Sequence, residues 1–208
     1  MSRDPVRSSA KREEARRTIL EAALEEFGSR SFSEATTSAI ALRAGVSKGL
    51  VFNYFPTKEA LLQALVERTL AEVLDFWDAQ HWDRAPREQL QFWIDAALNQ
   101  VARRPGFYRL YFSLALQPGG SEAVNQALVG LQPRLELYLA RVEEMLGSCG
   151  SADPASDARL LQCAINGLAQ VIVTGPDFTQ EGGLVALEPL RHRLLQMFAP
   201  AAAEARGR

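Results

Sequence analysis

The sequence is poor in the residues from which metal centres, disulfide scaffolds and catalytic sites are built. It has two cysteines, Cys149 and Cys163, and two histidines, His81 and His192, among 208 residues. Two cysteines cannot form a disulfide framework and fit a reducing compartment. The histidines lie too far apart for a metal-ligand motif, and no glycine-rich phosphate loop or nucleophile motif occurs. We therefore predict no catalytic residue, no metal site and no cofactor.

Long apolar runs are also missing. No stretch reaches the roughly 18 apolar residues that a membrane helix needs, and the charged start MSRDPVRSSAKREEARR lacks the apolar segment of a signal peptide. We expect a cytoplasmic protein with no membrane partner. Hydrophobic residues still make up 47% of the chain, so a substantial core can form.

The small net charge of −2 conceals an asymmetry along the chain. Residues 1–58 contain ten Lys and Arg against seven Asp and Glu, whereas the remainder contains 13 against 18. A basic front and an acidic back indicate that a polyanion would bind the front, and chance variation on a solvated surface is the equally weighted alternative.

Strand signals are scarce, and apolar residues recur at the helical spacing of three and four almost everywhere. This periodicity predicts an all-α protein. After a flexible basic arm over 1–12, helices are predicted at 13–29, 38–44, 48–55 and 57–80, with Thr37, Ser47 and Thr57 as caps of the last three. Further helices are predicted at 87–103, 105–117, 121–146, 155–174 and 184–198, and Pro133 should kink or divide its helix.

The stretch GVSKGLVFNYF, over 45–55, follows the second helix after a short turn at Gly45. Two short helices separated by such a turn are typical of a helix-turn-helix, whose last helix enters the DNA major groove. The spacing places Val51 and Phe55 on the core side. Lys48 lies at the start of the helix, where a lysine reaches guanine acceptors or a phosphate.

From Arg16 to Leu65 the chain resembles the N-terminal domain of the tetracycline-repressor (TetR) family. The resemblance rests on AGVSKG, on the aromatic-x-Tyr-Phe ending, and on the Lys-Glu-Ala-Leu-Leu start of the next helix. It implies a three-helix DNA-binding domain over 13–58 and a larger helical domain for effector binding and dimerisation over 59–208. The DNA contacts implied by the resemblance or suggested beside it are Thr37, Ser47, Lys48, Gly49, Leu50, Phe52, Asn53, Tyr54 and Lys58.

Two of these positions depart from the family pattern. Leu50 stands where the family often has threonine, and Phe52 where it usually has tyrosine. Both changes remove a hydroxyl, so apolar contact with a thymine methyl replaces hydrogen bonding as the expected interaction. Burial of Phe52 against the first helix is the alternative. Tyr54 and Lys58 are expected to contact phosphates.

The resemblance also implies a homodimer, and the last two helices carry apolar residues suited to a four-helix interface. We predict that Leu161, Leu168, Leu190 and Leu194 face a partner, although an intrachain bundle would use them equally well.

Aromatic residues cluster in the middle of the chain, and most of them could be ordinary core. As a group they fit a pocket for a small apolar or aromatic effector, with Asn166 and Gln170 as orienting groups if they do not face solvent. The predicted lining is Phe76, Trp77, Trp93, Phe107, Tyr108, Tyr111, Phe112, Asn166 and Gln170.

The sequence thus predicts a repressor that binds a palindromic site on double-stranded DNA as a homodimer and is released by an effector. One alternative is a DNA-binding regulator that responds to a protein partner. Another is a helical ligand-binding protein or enzyme whose helix-turn-helix is incidental.

Overall fold

The structure is a computed structural model that describes residues 5–30, 32–115, 120–175 and 187–199. All regular elements within these ranges are α-helices, as predicted. None of them combines the length and the low charge needed to cross a bilayer. The helices are α1 (Pro5–Ser29), α2 (Thr37–Arg43), α3 (Lys48–Tyr54), α4 (Lys58–Asp78), α5 (Pro86–Arg103), α6 (Pro105–Ala115), α7 (Gly120–Ser148), α8 (Pro154–Thr174) and α9 (Glu188–Phe198).

Two helices differ clearly from their predicted bounds. α1 begins at Pro5 rather than at Glu13, so most of the predicted arm is helical, while residues 1–4 lie outside the described ranges. Its added turns begin with Pro5, which suits the first turn of a helix, and half of their residues are good helix formers, namely Arg7, Ala10, Lys11 and Arg12. Arg17 pairs with Glu14 and Glu21 further along. α7 is continuous through Pro133, so the predicted division of that helix is wrong. The predicted residues 116–117 and 184–186 lie outside the described ranges.

The helices form two compact units. The first extends to Ala71 and adds Arg109–Leu131; the second comprises Glu72–Tyr108 and the chain from Gln132 onward. The first unit therefore extends beyond the boundary predicted after Lys58. Along the chain, α4, α6 and α7 each continue from one unit into the other.

The first unit is built around a single apolar core. Six helices, α1 to α4, α6 and α7, contribute to it, and the predicted core positions Val51 and Phe55 are buried there. Burial of such side chains contributes roughly 1.5–3 kcal/mol each to the free energy of folding. The largest contributors are Ile19, Leu20, Phe27, Ile40, Val51, Phe55, Leu61, Leu62, Leu65, Leu110 and Leu114.

The second unit is organised around α5, on which α8 and α9 both pack. Trp77 of α4 lies at the centre of an aromatic cluster in this unit. Its ring stacks on that of Trp93 with centroids 5.8 Å apart, and it also contacts Phe76, Trp82 and Tyr138. Burial raises the pKa of the Tyr138 phenol above its ordinary value, so this hydroxyl stays protonated within the cluster.

Candidate nucleic-acid interface

Both helices of the helix-turn-helix have an N-cap residue whose side chain accepts a hydrogen bond from the first turn. The Thr36 hydroxyl accepts a hydrogen bond of 3.1 Å from the Ala39 backbone N–H, so Thr36 caps α2. The prediction of Thr37 as the cap is wrong by one residue, because Thr37 already belongs to the helix. The Ser47 hydroxyl accepts a 3.1 Å bond from the Leu50 N–H and caps α3, as predicted.

The turn between the two helices depends on one glycine. Gly45 has a φ of +66°, a left-handed conformation that side chains with a Cβ rarely adopt. With this geometry the Val46 N–H donates to the Ala41 carbonyl over 3.0 Å, which closes the end of α2. The turn thereby directs the chain into α3 at a fixed angle to α2.

α3 has one buried and one exposed side. Val51 is fully buried, whereas Lys48, Gly49, Phe52 and Asn53 are exposed. We call these four residues the recognition face. Phe52 is 41% exposed, so its ring points outward rather than into the core against α1. Such an exposed aromatic ring is available for apolar contact with a base edge.

The recognition face carries a positive charge with no carboxylate to balance it. Its lysine, Lys48, has its ammonium 5.7 Å from the centre of the Phe52 ring and pairs with no carboxylate among the residues that the structure describes. The nearby arginine of α2, Arg43, is already engaged, since it pairs with Glu25 at 3.0 Å and with the buried Glu26 at 3.3 Å. These two hydrogen bonds raise the pKa of Arg43.

Four other predicted DNA contacts surround this face. Thr37, Leu50 and Tyr54 are half-buried, and Tyr54 packs against the apolar core of the unit. The fourth, Ser47, is exposed but uses its hydroxyl to cap α3. The exposed atoms of these four residues can still contact DNA, and their DNA contacts stay predictions.

The ammonium of Lys58, predicted to contact a phosphate, is held by backbone carbonyls of the loop between α1 and α2. Its ammonium donates to the carbonyls of Phe32, Ser33 and Ala35 over 2.7, 3.3 and 3.2 Å. It also lies 4.5 Å from the centre of the Phe32 ring. All three donor positions of an ammonium are thereby used. In this structure Lys58 connects the start of α4 to the loop between α1 and α2.

The four leucines predicted to face a partner divide into two pairs. Leu161 and Leu194 are buried inside their own unit, so their side chains are already covered. Leu190 is 50% exposed and Leu168 is half-buried. Three further apolar residues of α8 and α9, beyond the four predicted to face a partner, are also exposed: Leu160, Val171 and Met197. The helical period could have shown two apolar sides on α8, but not which of them faces the core.

The structure places the predicted pocket residues in different surroundings. Trp77, Trp93 and Phe107 are buried in the second unit as packed core, and the Tyr108 ring makes an edge contact with that of Phe107. Phe76 does line a surface cleft of about 260 Å³. Among the described residues, no group of three or more His, Cys, Asp and Glu side chains could hold a metal ion.

The other four predicted lining residues lie elsewhere. Tyr111 and Phe112 belong to the first unit, where burial raises the pKa of the Tyr111 phenol. Asn166 and Gln170 are exposed on α8, and the Asn166 side chain accepts a hydrogen bond from Gln162. The polar stripe of α8 therefore faces away from the core of its own unit.

The contacts of Lys58 predict that it stabilises the fold. We expect Lys58→Met to lower the free energy of unfolding by about 1–3 kcal/mol, because three backbone carbonyls, two of them in half-buried hydrogen bonds, lose a charged donor. Lys48→Met is the matched control and should change the free energy of unfolding by no more than about 0.5 kcal/mol, since Lys48 is exposed. Urea denaturation measures both, and equal values for the two variants would contradict the role given to Lys58.

Comparisons with known proteins agree with this geometry. Residues 19–65 match the family model described as bacterial regulatory proteins of the tetR family. Over 195 residues, the chain is 27% identical to the HTH-type transcriptional repressor SCO4008 of Streptomyces coelicolor, covering 91% of this chain and 92% of the relative. It is 34% identical over 119 residues to the HTH-type transcriptional regulator RutR of Escherichia coli, covering 53% of this chain and 54% of that protein.

The fold matches as well. A crystal structure of a TetR-like transcriptional regulator from Rhodococcus sp. RHA1 superposes with a TM-score of 0.65 at 25% identity, covering 88% of this chain and 94% of that one. The relatives are named as regulators of transcription, a class of proteins that are not enzymes. Residues 19–65 thus carry a DNA-binding segment that matches the tetR family, and over most of its length the chain resembles transcriptional regulators of that family.

Proposed function

We propose that the protein is a homodimeric repressor that binds a palindromic operator through α3 and releases it when a small effector binds the second unit. The observation that carries the DNA-binding part is the recognition face, with its exposed Phe52 ring and the unbalanced charge of Lys48. A lysine in this position can donate to guanine acceptors in the major groove, while an apolar ring suits a thymine methyl.

The apolar surface of α8 supports the homodimer. Leu160, Ala164, Gly167, Leu168 and Val171 recur at the helical spacing along the uncovered side of the helix, and we call them the α8 stripe. Leu160 is 60% exposed and Val171 44%. Among the described residues outside the helix itself, no atom lies within 4 Å of the position that a Cβ on Gly167 would occupy, so a second helix can approach closely there.

α9 adds to this surface. Leu190 and Met197, seven residues apart, are 50% and 60% exposed. Both helices pack on α5 in the same unit and both leave apolar residues uncovered. A second copy of the chain is the occupant we propose, because a two-fold interface matches each stripe with an identical one.

The effector response requires a physical route from the second unit to the DNA-binding unit. α4, α6 and α7 are continuous helices that belong to both units. A shift of α4 would act on the recognition face through Lys58, which connects the first turn of α4 to the loop before α2. In a dimer this would change the spacing of the two recognition helices, which must match about one DNA turn of 34–36 Å.

The recognition face predicts how Lys48 contributes to operator binding. We expect Lys48→Ala to weaken operator binding by about 1–3 kcal/mol and to weaken binding to random DNA less. Lys58→Met should leave the slope of log affinity against log salt unchanged, because its ammonium is bonded to carbonyls. Fluorescence anisotropy at several salt concentrations measures both. A decrease of that slope by about one in Lys58→Met would instead show that Lys58 contacts a phosphate.

The α8 stripe predicts which residues hold the dimer together. We expect Leu160→Glu and Val171→Glu to give monomers, because each places a charge in an interface from which water is excluded. Their DNA affinity should fall sharply, since a monomer contacts only one half-site. Leu137→Glu is the matched control, because Leu137 is 52% exposed on α7 and should tolerate a charge. Analytical ultracentrifugation gives the mass, and dimers in both stripe variants would place the interface elsewhere.

A further inference from the structure

A surface cleft lies along α5, beside Phe76 of α4. The cleft has a volume of about 260 Å³ and lies wholly within the second unit. Two aromatic rings, two amides and two charged groups contribute to its lining. These residues are Phe76, Phe92, Asp95, Asn99, Gln100 and Arg103.

The charge balance of this cleft favours an anion. Asp95, its carboxylate, is engaged rather than free, because it accepts hydrogen bonds from both the Nε (2.9 Å) and an Nη nitrogen of Arg191, which also pairs with Glu188. Arg103 is exposed and has no ion-pair or hydrogen-bond partner among the residues that the structure describes. The cleft therefore presents one uncompensated guanidinium, whose two parallel N–H groups match the geometry of a carboxylate.

The two aromatic rings of the cleft favour a ligand whose anionic group is attached to an aromatic ring. Phe76 and Phe92 are both half-buried and line the same space. One side of the Phe92 ring is covered by the Arg84 guanidinium at 4.1 Å, and the Phe76 ring meets that of Trp77 edge to face. Rings held in this way can form edge-to-face or offset contacts with a further ring. Asn99 and Gln100 can each donate and accept hydrogen bonds at its rim.

The volume limits the size of the occupant. About 260 Å³ is slightly below the range of roughly 300–1,000 Å³ that drug-sized ligands occupy, so one ring with small substituents fits. We propose that this cleft binds a single-ring aromatic carboxylate, with its carboxylate on Arg103 and its ring between Phe76 and Phe92. That this ligand is also the effector rests on the proposed effector response.

Three fluorinated probes test the ligand class directly on the full-length protein without DNA. Fluorobenzoate has both the ring and the carboxylate, fluorobenzyl alcohol has the ring alone, and trifluoroacetate has the carboxylate alone. Fluorine NMR titration gives the dissociation constant of each. We expect fluorobenzoate to bind at least about ten-fold more tightly than the other two, because only it forms both the charged and the ring contacts.

Three variants locate the site. Arg103→Gln keeps the length and polarity of the side chain but removes the charge, and should weaken fluorobenzoate binding about ten-fold or more. Phe92→Leu should weaken it about three-fold or more through the loss of the ring contact. Arg109→Gln, a change at an exposed arginine of the first unit, is the matched control and should leave binding unchanged. Thermal unfolding checks that each variant is folded.

The outcomes separate this inference from the proposed function. Absence of fluorobenzoate binding, equal binding in folded Arg103→Gln, or equal binding of fluorobenzyl alcohol would each overturn the site. Binding that is lost in Arg103→Gln supports it. If saturating fluorobenzoate then leaves DNA affinity unchanged, the ligand class still stands and the proposed effector response is contradicted.

Discussion

The DNA-binding unit depends on two helices, of seven residues each, that are too short to be stable on their own. Neighbouring elements must hold them in place. The apolar core buries one side of α2 and α3 against α1 and α4. Arg43 connects α2 to the buried Glu26 of α1, and Arg30 lies 3.4 Å from the other oxygen of that carboxylate. Lys58 connects the start of α4 to the loop before α2.

This arrangement separates the residues that position the recognition face from those that form it. Lys48 and Phe52 are exposed and can contact DNA, whereas Arg43 and Lys58 are engaged in the contacts that hold the helices in place. It also gives the position of α4 a direct effect on the helix-turn-helix. A regulator needs such a connection, since an effector can shift an equilibrium only through its different affinities for the two states.

The helix-turn-helix could be predicted from the sequence because it follows local rules. The other features depend on tertiary packing, which the sequence pattern does not reveal. Ser47 and Gly45 follow capping and turn preferences that act within a few residues. Thr36 and Thr37 have the same capping chemistry, and only the backbone register distinguishes them. The role of Lys58 depends on a loop more than 20 residues earlier in the chain. Periodicity revealed the apolar character of α8, but not that its Leu161 side packs inward.

The central claim is that two recognition faces of a homodimer bind DNA together. Selection of bound sequences from a pool of random DNA duplexes by the full-length protein tests it most directly. Two copies related by a two-fold axis should select an inverted repeat whose half-sites are centred about 10–10.5 base pairs apart, or a multiple of that distance. A single asymmetric motif, or no enriched sequence at all, would contradict the claim.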